Sequence, residues 1–458
     1  MTTTPRPARN TRGGASRRTV LGAGALGASA LGLAACGGSG DSGGSGGGSS
    51  DGGSGGGGGA AGVTLDFEER GPITLARGKD TTGQLAEFLD RWNSEHPDEE
   101  VTMIELPESA DEQRAQFINN AQAQSDAYTV VSLDIIWTAE FAANQWVAEL
   151  PQDKFKLDEI LPGALATGMY FDRLYAVPFT TNAQLLFYRK DLLEAAGHTE
   201  PPATFEEMWQ VIDDVKANDD AMLGYGAQFA KYEGLTCQTA ATIRSNGGDL
   251  FDEQGKPKAD TAEAIEAIQV IRDGFASGHI PEEALTYMEE PTRQTFQDGR
   301  LIFQTNWPYV WELAQAEDGS SKVNGKIGVG LVPGVKEAGA TTLGGANYAI
   351  SAFAKNAGTA LDFIAFMADF QQQKDWMINT TSPTANAAVY DDPDVIAEFD
   401  FIEKLRTSIE NGVVRPQVVK YGEVTQSIQD AVYSAISGES EVEPAMQGLQ
   451  ENLTAIEG

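Results

Sequence analysis

The sequence has little cysteine and little histidine, which narrows the chemistry open to it. It contains 2 Cys and 3 His in 458 residues. The histidines stand far apart, and no CxxC or other zinc-ligand spacing occurs. A formal GxGxxG at residues 22–27 follows no strand and lies in no βαβ unit, so it does not indicate a dinucleotide site. The sequence therefore predicts neither a metal site nor a cofactor.

Positive charge is also scarce. The chain has 32 Lys and Arg against 67 Asp and Glu, a formal net charge of -35. The first 35 residues carry five arginines and no acid, so the rest of the chain is more acidic still. Such a surface repels phosphate backbones and anionic lipid headgroups. The composition thus argues against a nucleic-acid partner.

The N-terminal region has no apolar run long enough to span a bilayer. Residues 20–33 are weakly apolar and follow the five arginines, which is the layout of an export signal. Arg17-Arg18 resembles a twin-arginine signal, and Leu33-Ala34-Ala35-Cys36 resembles a lipobox. We expect residues 1–35 to be a signal peptide and Cys36 to carry a diacylglycerol thioether. Cys237 then has no partner for a disulfide.

Glycine is concentrated next to this region. Residues 37–59 are almost entirely Gly and Ser, a composition that forms no core and behaves as a random coil. We expect residues 36–62 to be a lipidated cysteine with a tether that reaches about 25–30 Å. The sequence predicts an exported protein on the outer face of the cytoplasmic membrane, held there through its lipid anchor only.

From residue 63 onward, short apolar runs alternate with helical patterns. Strands at 73–76, 101–104 and 128–133 with two helices between them give β-α-β-α-β, which is typical of a parallel sheet. A second series follows, in which Thr204 and Glu207 form a capping-box pattern that opens a helix through about Lys216. Ligands of open α/β sheets bind outside the carboxyl ends of the strands. Two such lobes would enclose a ligand cleft and close about a hinge.

Eight short motifs run in order along this body: SLDIIW at 132–137, KDLL at 190–193, PPATFEE at 201–207, KYEGLTC at 231–237, SNGG at 245–248, NWPY at 306–309, TLGG at 342–345 and RP at 415–416. They resemble the extracellular solute-binding proteins of ABC sugar importers, in particular the trehalose/maltose-binding group. The resemblance implies an α/β, two-lobed periplasmic-binding-protein-like fold with a hinge and an interlobe cleft. We expect residues 63–182 plus about 302–352 in one lobe, and 183–301 plus about 353–458 in the other.

The resemblance also implies a function. A disaccharide such as trehalose or maltose is captured in the cleft by a monomeric protein and delivered to ABC permease subunits that a separate ATPase drives. No GxxxxGK[ST] occurs in the sequence, which agrees with ATP hydrolysis lying elsewhere. The residues alone leave one enzyme alternative open, a lipid-anchored glycoside hydrolase with paired carboxylates.

A sugar site needs planar polar groups for hydroxyls and an aromatic face for the C–H side of a ring. Asp134 ends a predicted strand and either binds a hydroxyl or caps the next helix. Asn182 stands where the resemblance implies Asp. Trp307, between a predicted strand and Pro308, is expected to stack on the sugar, with core packing as the alternative.

Further candidates come from backbone chemistry and from the resemblance. Arg415 precedes Pro416 and so lies in an extended segment, where it clamps vicinal hydroxyls or forms a surface salt bridge. Gly344 and Gly345 allow the backbone to approach a ligand or simply form a turn. The weaker candidates, with helix-end polarity or packing as their alternatives, are Gln84, Gln113, Arg114, Tyr232, Glu290 and Tyr309.

Overall fold

The computed structural model describes residues 62–252, 255–416 and 418–457. The expected signal peptide, the lipidated Cys36 and nearly all of the tether lie outside these ranges. The strands are β1 Ile73–Gly78, β2 Val101–Leu106, β3 Val130–Asp134, β4 Met169–Tyr170, β5 Arg173–Leu174, β6 Ala176–Ala183, β7 Leu185–Arg189, β8 Leu223–Gly226, β9 Leu301–Asn306, β10 Ile327–Gly330, β11 Thr341–Ile350 and β12 Gly412–Val413. The helices are α1 Leu85–Glu95, α2 Ala110–Gln122, α3 Thr138–Ala143, α4 Pro162–Thr167, α5 Lys190–Ala195, α6 Phe205–Lys216, α7 Glu233–Ser245, α8 Ala262–Ser277, α9 Glu289–Gln297, α10 Val310–Ala314, α11 Ala357–Ala368, α12 Phe370–Thr380, α13 Pro393–Glu398, α14 Ile402–Glu410, α15 Tyr421–Ser437 and α16 Val442–Glu457.

The first sheet has six strands in the order β12-β11-β3-β1-β2, with β6 also paired to β11. β1 is parallel to both β2 and β3, as the β-α-β-α-β pattern predicts. The long strand β11 runs antiparallel to β3 and to β6. The sequence pattern predicts a strand only near residues 348–351, because Gly344 and Gly345 interrupt the β pattern of the earlier half.

The second sheet has four strands in the order β10-β7-β9-β8. Only Gln184 separates β6 of the first sheet from β7 of the second, so the chain crosses between the sheets there. β9 and β10 pair with β7, which places residues 301–330 in the second lobe and not in the first, where the expected boundary put residues from about 302. Strand periodicity gives the faces of a strand but not its partners, so it cannot assign β9 to a sheet.

Each sheet has its own hydrophobic core. Phe363 of α11 and Trp376 of α12 belong to the core of the first sheet. Leu405, Ile428 and Leu453, from the later helices, belong to the core of the second. Residues 357–368 of α11 therefore pack in the first lobe, although the expected boundary put everything after about 353 in the second. Helix α12 lies between the two cores, since its Met377 belongs to the core of the second sheet. An apolar stripe shows that a helix face is buried but not which sheet covers it.

The capping box at the start of α6 is confirmed. The Glu207 amide donates to Thr204 Oγ1 at 3.2 Å, and the Thr204 amide donates to Glu207 Oε2 at 3.3 Å. Each side chain satisfies one of the amide groups that a helix start leaves unpaired. No helix within the described ranges combines the length and apolar character needed to cross a bilayer.

Candidate ligand-binding cleft

Two adjoining cavities, of about 320 Å³ and about 260 Å³, lie between the two lobes. They share Arg77, Gln113, Asp134, Glu289 and Tyr309, and so form one continuous cleft. One wall comes from the carboxyl ends of β1 and β3, where ligands of open α/β sheets bind. The other comes from the N-terminal ends of α7 and α9 and from the loop that follows β9.

Arg415 links the two walls. Its Nη2 lies 2.7 Å from Asp134 Oδ1 on β3, and its Nη1 lies 2.5 Å from Glu233 Oε1 at the start of α7. Arg415 is only 2% exposed, so the surface salt bridge considered above does not describe it. Although burial lowers the pKa of Arg415, the two carboxylates hold that pKa well above its usual value. The guanidinium is therefore a fixed cation in the lining of the cleft.

Glu233 accepts hydrogen bonds from two side chains of α15 as well as from Arg415. Tyr421 Oη donates to its Oε1 at 2.5 Å, and Thr425 Oγ1 donates to its Oε2 at 2.6 Å. Burial raises the pKa of Glu233 above its usual value, against the opposing effect of Arg415. These contacts fix the Glu233 carboxylate and with it the position of Arg415.

Trp307 follows β9 and faces the larger cavity. Its backbone amide donates to Asn306 Oδ1 at 2.9 Å, and its indole Nε1 lies 3.5 Å from Glu289 Oε1. On the opposite side, the ring packs against the backbone of Gly344, where a Cβ would lie 2.6 Å from Trp307 Cη2. The ring is partly exposed and is therefore not a core residue.

Asn182 and the glycine pair lie side by side in the sheet. Asn182 of β6 is opposite Gly344 of β11. Its Oδ1 is buried and has no hydrogen-bond partner among the described residues, which leaves an acceptor at the cavity wall. Gly345 has φ +132°, and a Cβ there would lie 2.2 Å from the Thr180 carbonyl oxygen. Only glycine fits that position without strain.

Most of the residues singled out from the sequence line the larger cavity. Those that do are Gln113, Asp134, Asn182, Tyr232, Trp307, Tyr309, Gly344, Gly345 and Arg415. Asp134 Oδ1 also accepts a hydrogen bond from the Ile136 amide at 3.3 Å, but this is a turn contact: the cap position of α3 is Trp137, and no side chain caps that helix.

Three candidates are placed differently. Gln84 lines neither cavity and stands at the cap position of α1. Arg114 also lines neither, because its guanidinium is paired with Glu140. Glu290 lines only the smaller cavity. For Gln84 and Arg114, the structure corrects the expectation of a place in the cleft: a motif fixes where a residue stands along the chain but not which way its side chain turns.

Several residues that line the larger cavity were not predicted from the sequence, among them Arg77, Glu289 and Trp376. Arg77 is the second-to-last residue of β1. The predicted strand ends at residue 76, and a prediction that continued to the observed end at Gly78 would have made Arg77 a candidate. Glu289 is adjacent to Glu290, and the pattern alone does not choose between them. Trp376 is 3% exposed with Arg77 over its ring at 5.6 Å, and its Nε1 has no partner in the described part of the chain.

The chain matches the family model for bacterial extracellular solute-binding proteins over residues 78–374. It belongs to this family. A probable ABC transporter-binding protein of Deinococcus radiodurans is 29% identical over 413 residues, which are 87% of this chain and 97% of the relative.

Solved structures agree with the fold of this solute-binding protein. The maltose-bound MalE3 of T. maritima is 34% identical, with a TM-score of 0.80, over 84% of this chain and 99% of that one. The GacH receptor of Streptomyces glaucescens is 23% identical, with a TM-score of 0.74, over 83% and 97%. The predicted two-lobed α/β fold is confirmed. These relatives are solute-binding proteins of ABC transporters and not enzymes, which removes the glycoside hydrolase alternative.

Proposed function

We propose that this solute-binding protein captures a disaccharide such as maltose or trehalose in the cleft and delivers it to the permease of an ABC importer. The observation that carries the proposal is the pairing of one aromatic face with fixed polar groups around a single cleft. Trp307 offers its ring to the apolar side of a sugar, while Asp134 and Arg415 offer charged partners for hydroxyls. An apolar ligand would leave the buried Asn182 Oδ1, which has no partner among the described residues, unpaired, and this is unfavourable in a closed cleft.

Two further observations support a ligand of two rings. The cleft continues from a cavity of about 320 Å³ into one of about 260 Å³, with hydrogen-bonding groups along both. The maltose-bound MalE3, at 34% identity, covers 84% of this chain. In this proposal the nine lining candidates contact the sugar, and Glu290 acts through its neighbours.

Capture by closure is the mechanism that follows. Arg415 contacts Asp134 on one wall and Glu233 on the other, so a ligand that completes the cleft also stabilises the closed arrangement. A monomer in this closed, liganded form is what we expect the permease subunits to recognise, with a separate ATPase driving transport.

Anchoring at the outer face of the cytoplasmic membrane is part of the proposal. It rests on the arginine-rich start, the lipobox ending at Cys36 and the Gly/Ser tether. Partition of the expressed protein into a detergent phase, lost in Cys36→Ser, would support it. Equal partition of both forms would contradict the lipid anchor but not the sugar-binding function.

The function is tested by a thermal-shift screen of the protein against disaccharides, followed by calorimetry. A ligand at 100 times its Kd stabilises the folded state by about 2.7 kcal/mol. Saturable binding of one disaccharide, with the sugar recovered unchanged, is the expected result. A response to peptides or other solutes and to no saccharide would overturn the proposed ligand class.

A further inference from the structure

Two adjacent carboxylates begin helix α9, and the structure gives them different surroundings. The carboxylate of Glu290, the residue that the sequence favours, already accepts hydrogen bonds from neighbouring side chains. Arg293 Nη2 lies 2.6 Å from its Oε2, and Tyr309 Oη donates to its Oε1 at 2.7 Å. Although burial raises the pKa of Glu290, these two partners bring it below its usual value. Its acceptor capacity is directed at its own lobe and away from a ligand.

Glu289 is different because it retains acceptor capacity toward the cleft. It lines both cavities. Tyr232 Oη donates to its Oε2 at 2.6 Å, and Trp307 Nε1 lies 3.5 Å from its Oε1, at the long limit for a hydrogen bond. The Glu289 backbone amide also donates to this carboxylate. A carboxylate offers about four lone-pair sites, so these donors still leave acceptor capacity unused.

Charge compensation distinguishes Glu289 again. Three carboxylates line the larger cavity, and two of them, Asp134 and Glu233, are paired with Arg415. Glu289 has no ion-pair partner among the described residues. A largely desolvated carboxylate without a cation needs hydrogen-bond donors, and the hydroxyls of a bound sugar are such donors. Burial accordingly raises the pKa of Glu289, against the opposing effect of Tyr232.

We infer that Glu289 is a specificity-determining residue that accepts a hydrogen bond from a hydroxyl of the sugar ring lying on Trp307. The inference rests on the proposed function and specifies which class of sugar the cleft accepts. A neutral sugar with a free hydroxyl beside the stacked ring is accepted. A sugar that lacks this hydroxyl, or that carries a carboxylate or phosphate in its place, is rejected because it offers no donor or repels the charge.

The test is calorimetry of the full-length protein in detergent with maltose and a series of monodeoxy-maltoses. Glu289→Gln retains an acceptor for Tyr232 but loses the charge. It should bind maltose about 10- to 100-fold more weakly. One deoxy-maltose should bind the wild type and Glu289→Gln within a factor of about three of each other, because it lacks the hydroxyl that Glu289 reads.

A matched control comes from another Tyr–Glu pair. Glu283 accepts from Tyr287 Oη, pairs with Arg300 at 2.9 Å and lines neither cavity. Glu283→Gln should bind every sugar in the series as the wild type does. Circular dichroism and the melting temperature show whether each variant is folded, and Glu289→Asp, which keeps the charge, should recover part of the selectivity.

The outcomes separate this inference from the proposed function. If Glu289→Gln weakens the binding of maltose and of every deoxy-maltose equally, the inference is overturned but the proposed function is not. The same holds if the variant binds as the wild type does. Failure of the wild type to bind any saccharide overturns the proposed function and this inference with it.

Discussion

Gly344 lies against the edge of the Trp307 ring so closely that a Cβ at this position would be 2.6 Å from Trp307 Cη2 and 2.8 Å from Cζ3. The indole is therefore held between the backbone of β11 on one side and Glu289 on the other. The absence of a side chain at Gly344 sets where the aromatic face stands in the cleft.

Gly344→Ala should displace the Trp307 ring and weaken sugar binding about tenfold, with a loss of about 1–3 kcal/mol in stability from overpacking. Calorimetry and chemical denaturation measure the two effects. Gly448→Ala is the control: no atom lies within 4 Å of a Cβ there, so this change inside α16 should stabilise the protein by about 0.5–1 kcal/mol. Equal affinity in Gly344→Ala would show that the ring position does not matter for binding.

Trp307→Ala should weaken disaccharide binding by about 1–3 kcal/mol, because the stacking surface is lost. Trp311 offers a comparison four residues later, since it packs on Phe401 at 5.0 Å and lines neither cavity. Trp311→Ala should lower the free energy of unfolding and leave the affinity nearly unchanged. If the two substitutions reduced affinity equally, stacking on Trp307 would not be its cause.

Arg415→Met should destabilise the protein by about 3–5 kcal/mol, because it leaves the buried Glu233 carboxylate and the half-buried Asp134 carboxylate without a cation. The loss should depend on pH. Burial already raises the pKa of Glu233, and removing Arg415 raises it further, so the folded variant binds a proton that the unfolded chain releases. A raised folded-state pKa gives stability that is present at low pH and lost as pH rises.

The variant should therefore fall further below the wild type at pH 8 than at pH 5, as urea denaturation at both values would show. Adding Glu233→Gln should restore part of the stability at pH 8. If the difference in stability between the variant and the wild type did not change with pH, Arg415 would not act by compensating the charge of the carboxylates.

Asp111 belongs to the first lobe and contacts the wall of the cleft that α7 forms, but it lines neither cavity. From α2 of the first lobe, its Oδ2 accepts from the Glu233 amide at the start of α7 at 2.9 Å. Asp111→Ala should weaken ligand binding by about 2- to 30-fold, because loss of the cap destabilises the closed arrangement by about 0.5–2 kcal/mol. Small-angle scattering should show a larger radius of gyration for the variant at the same ligand concentration.

The control for Asp111 is another helix cap. Asp369 accepts from the Gln371 amide at 3.0 Å at the start of α12 and lines neither cavity. Asp369→Ala should lower stability by a similar amount and leave the affinity and the scattering profile as in the wild type. If Asp369→Ala lowered the affinity as much as Asp111→Ala does, general destabilisation would explain both effects.

Local patterns in the sequence were sufficient for many, though not all, elements of the fold. The strands β1 to β3, with α1 and α2 between them, follow from apolar periodicity, and Thr204 with Glu207 identified the start of α6. These signals are local because a helix or strand repeats its burial every few residues. The motifs in turn identified the family and nine of the 21 residues that line the larger cavity.

The sequence by itself therefore determined the class of protein, its two α/β lobes and the chain positions that could face a ligand. Only the tertiary structure decided that β9 lies in the second sheet, that α11 packs on the first, and that Glu289 rather than Glu290 keeps free acceptors toward the cleft. The physical reason is that strand pairing, helix docking and ion pairs such as Arg415 with Asp134 join residues far apart in the chain. Periodicity records that a side chain is buried but not what covers it.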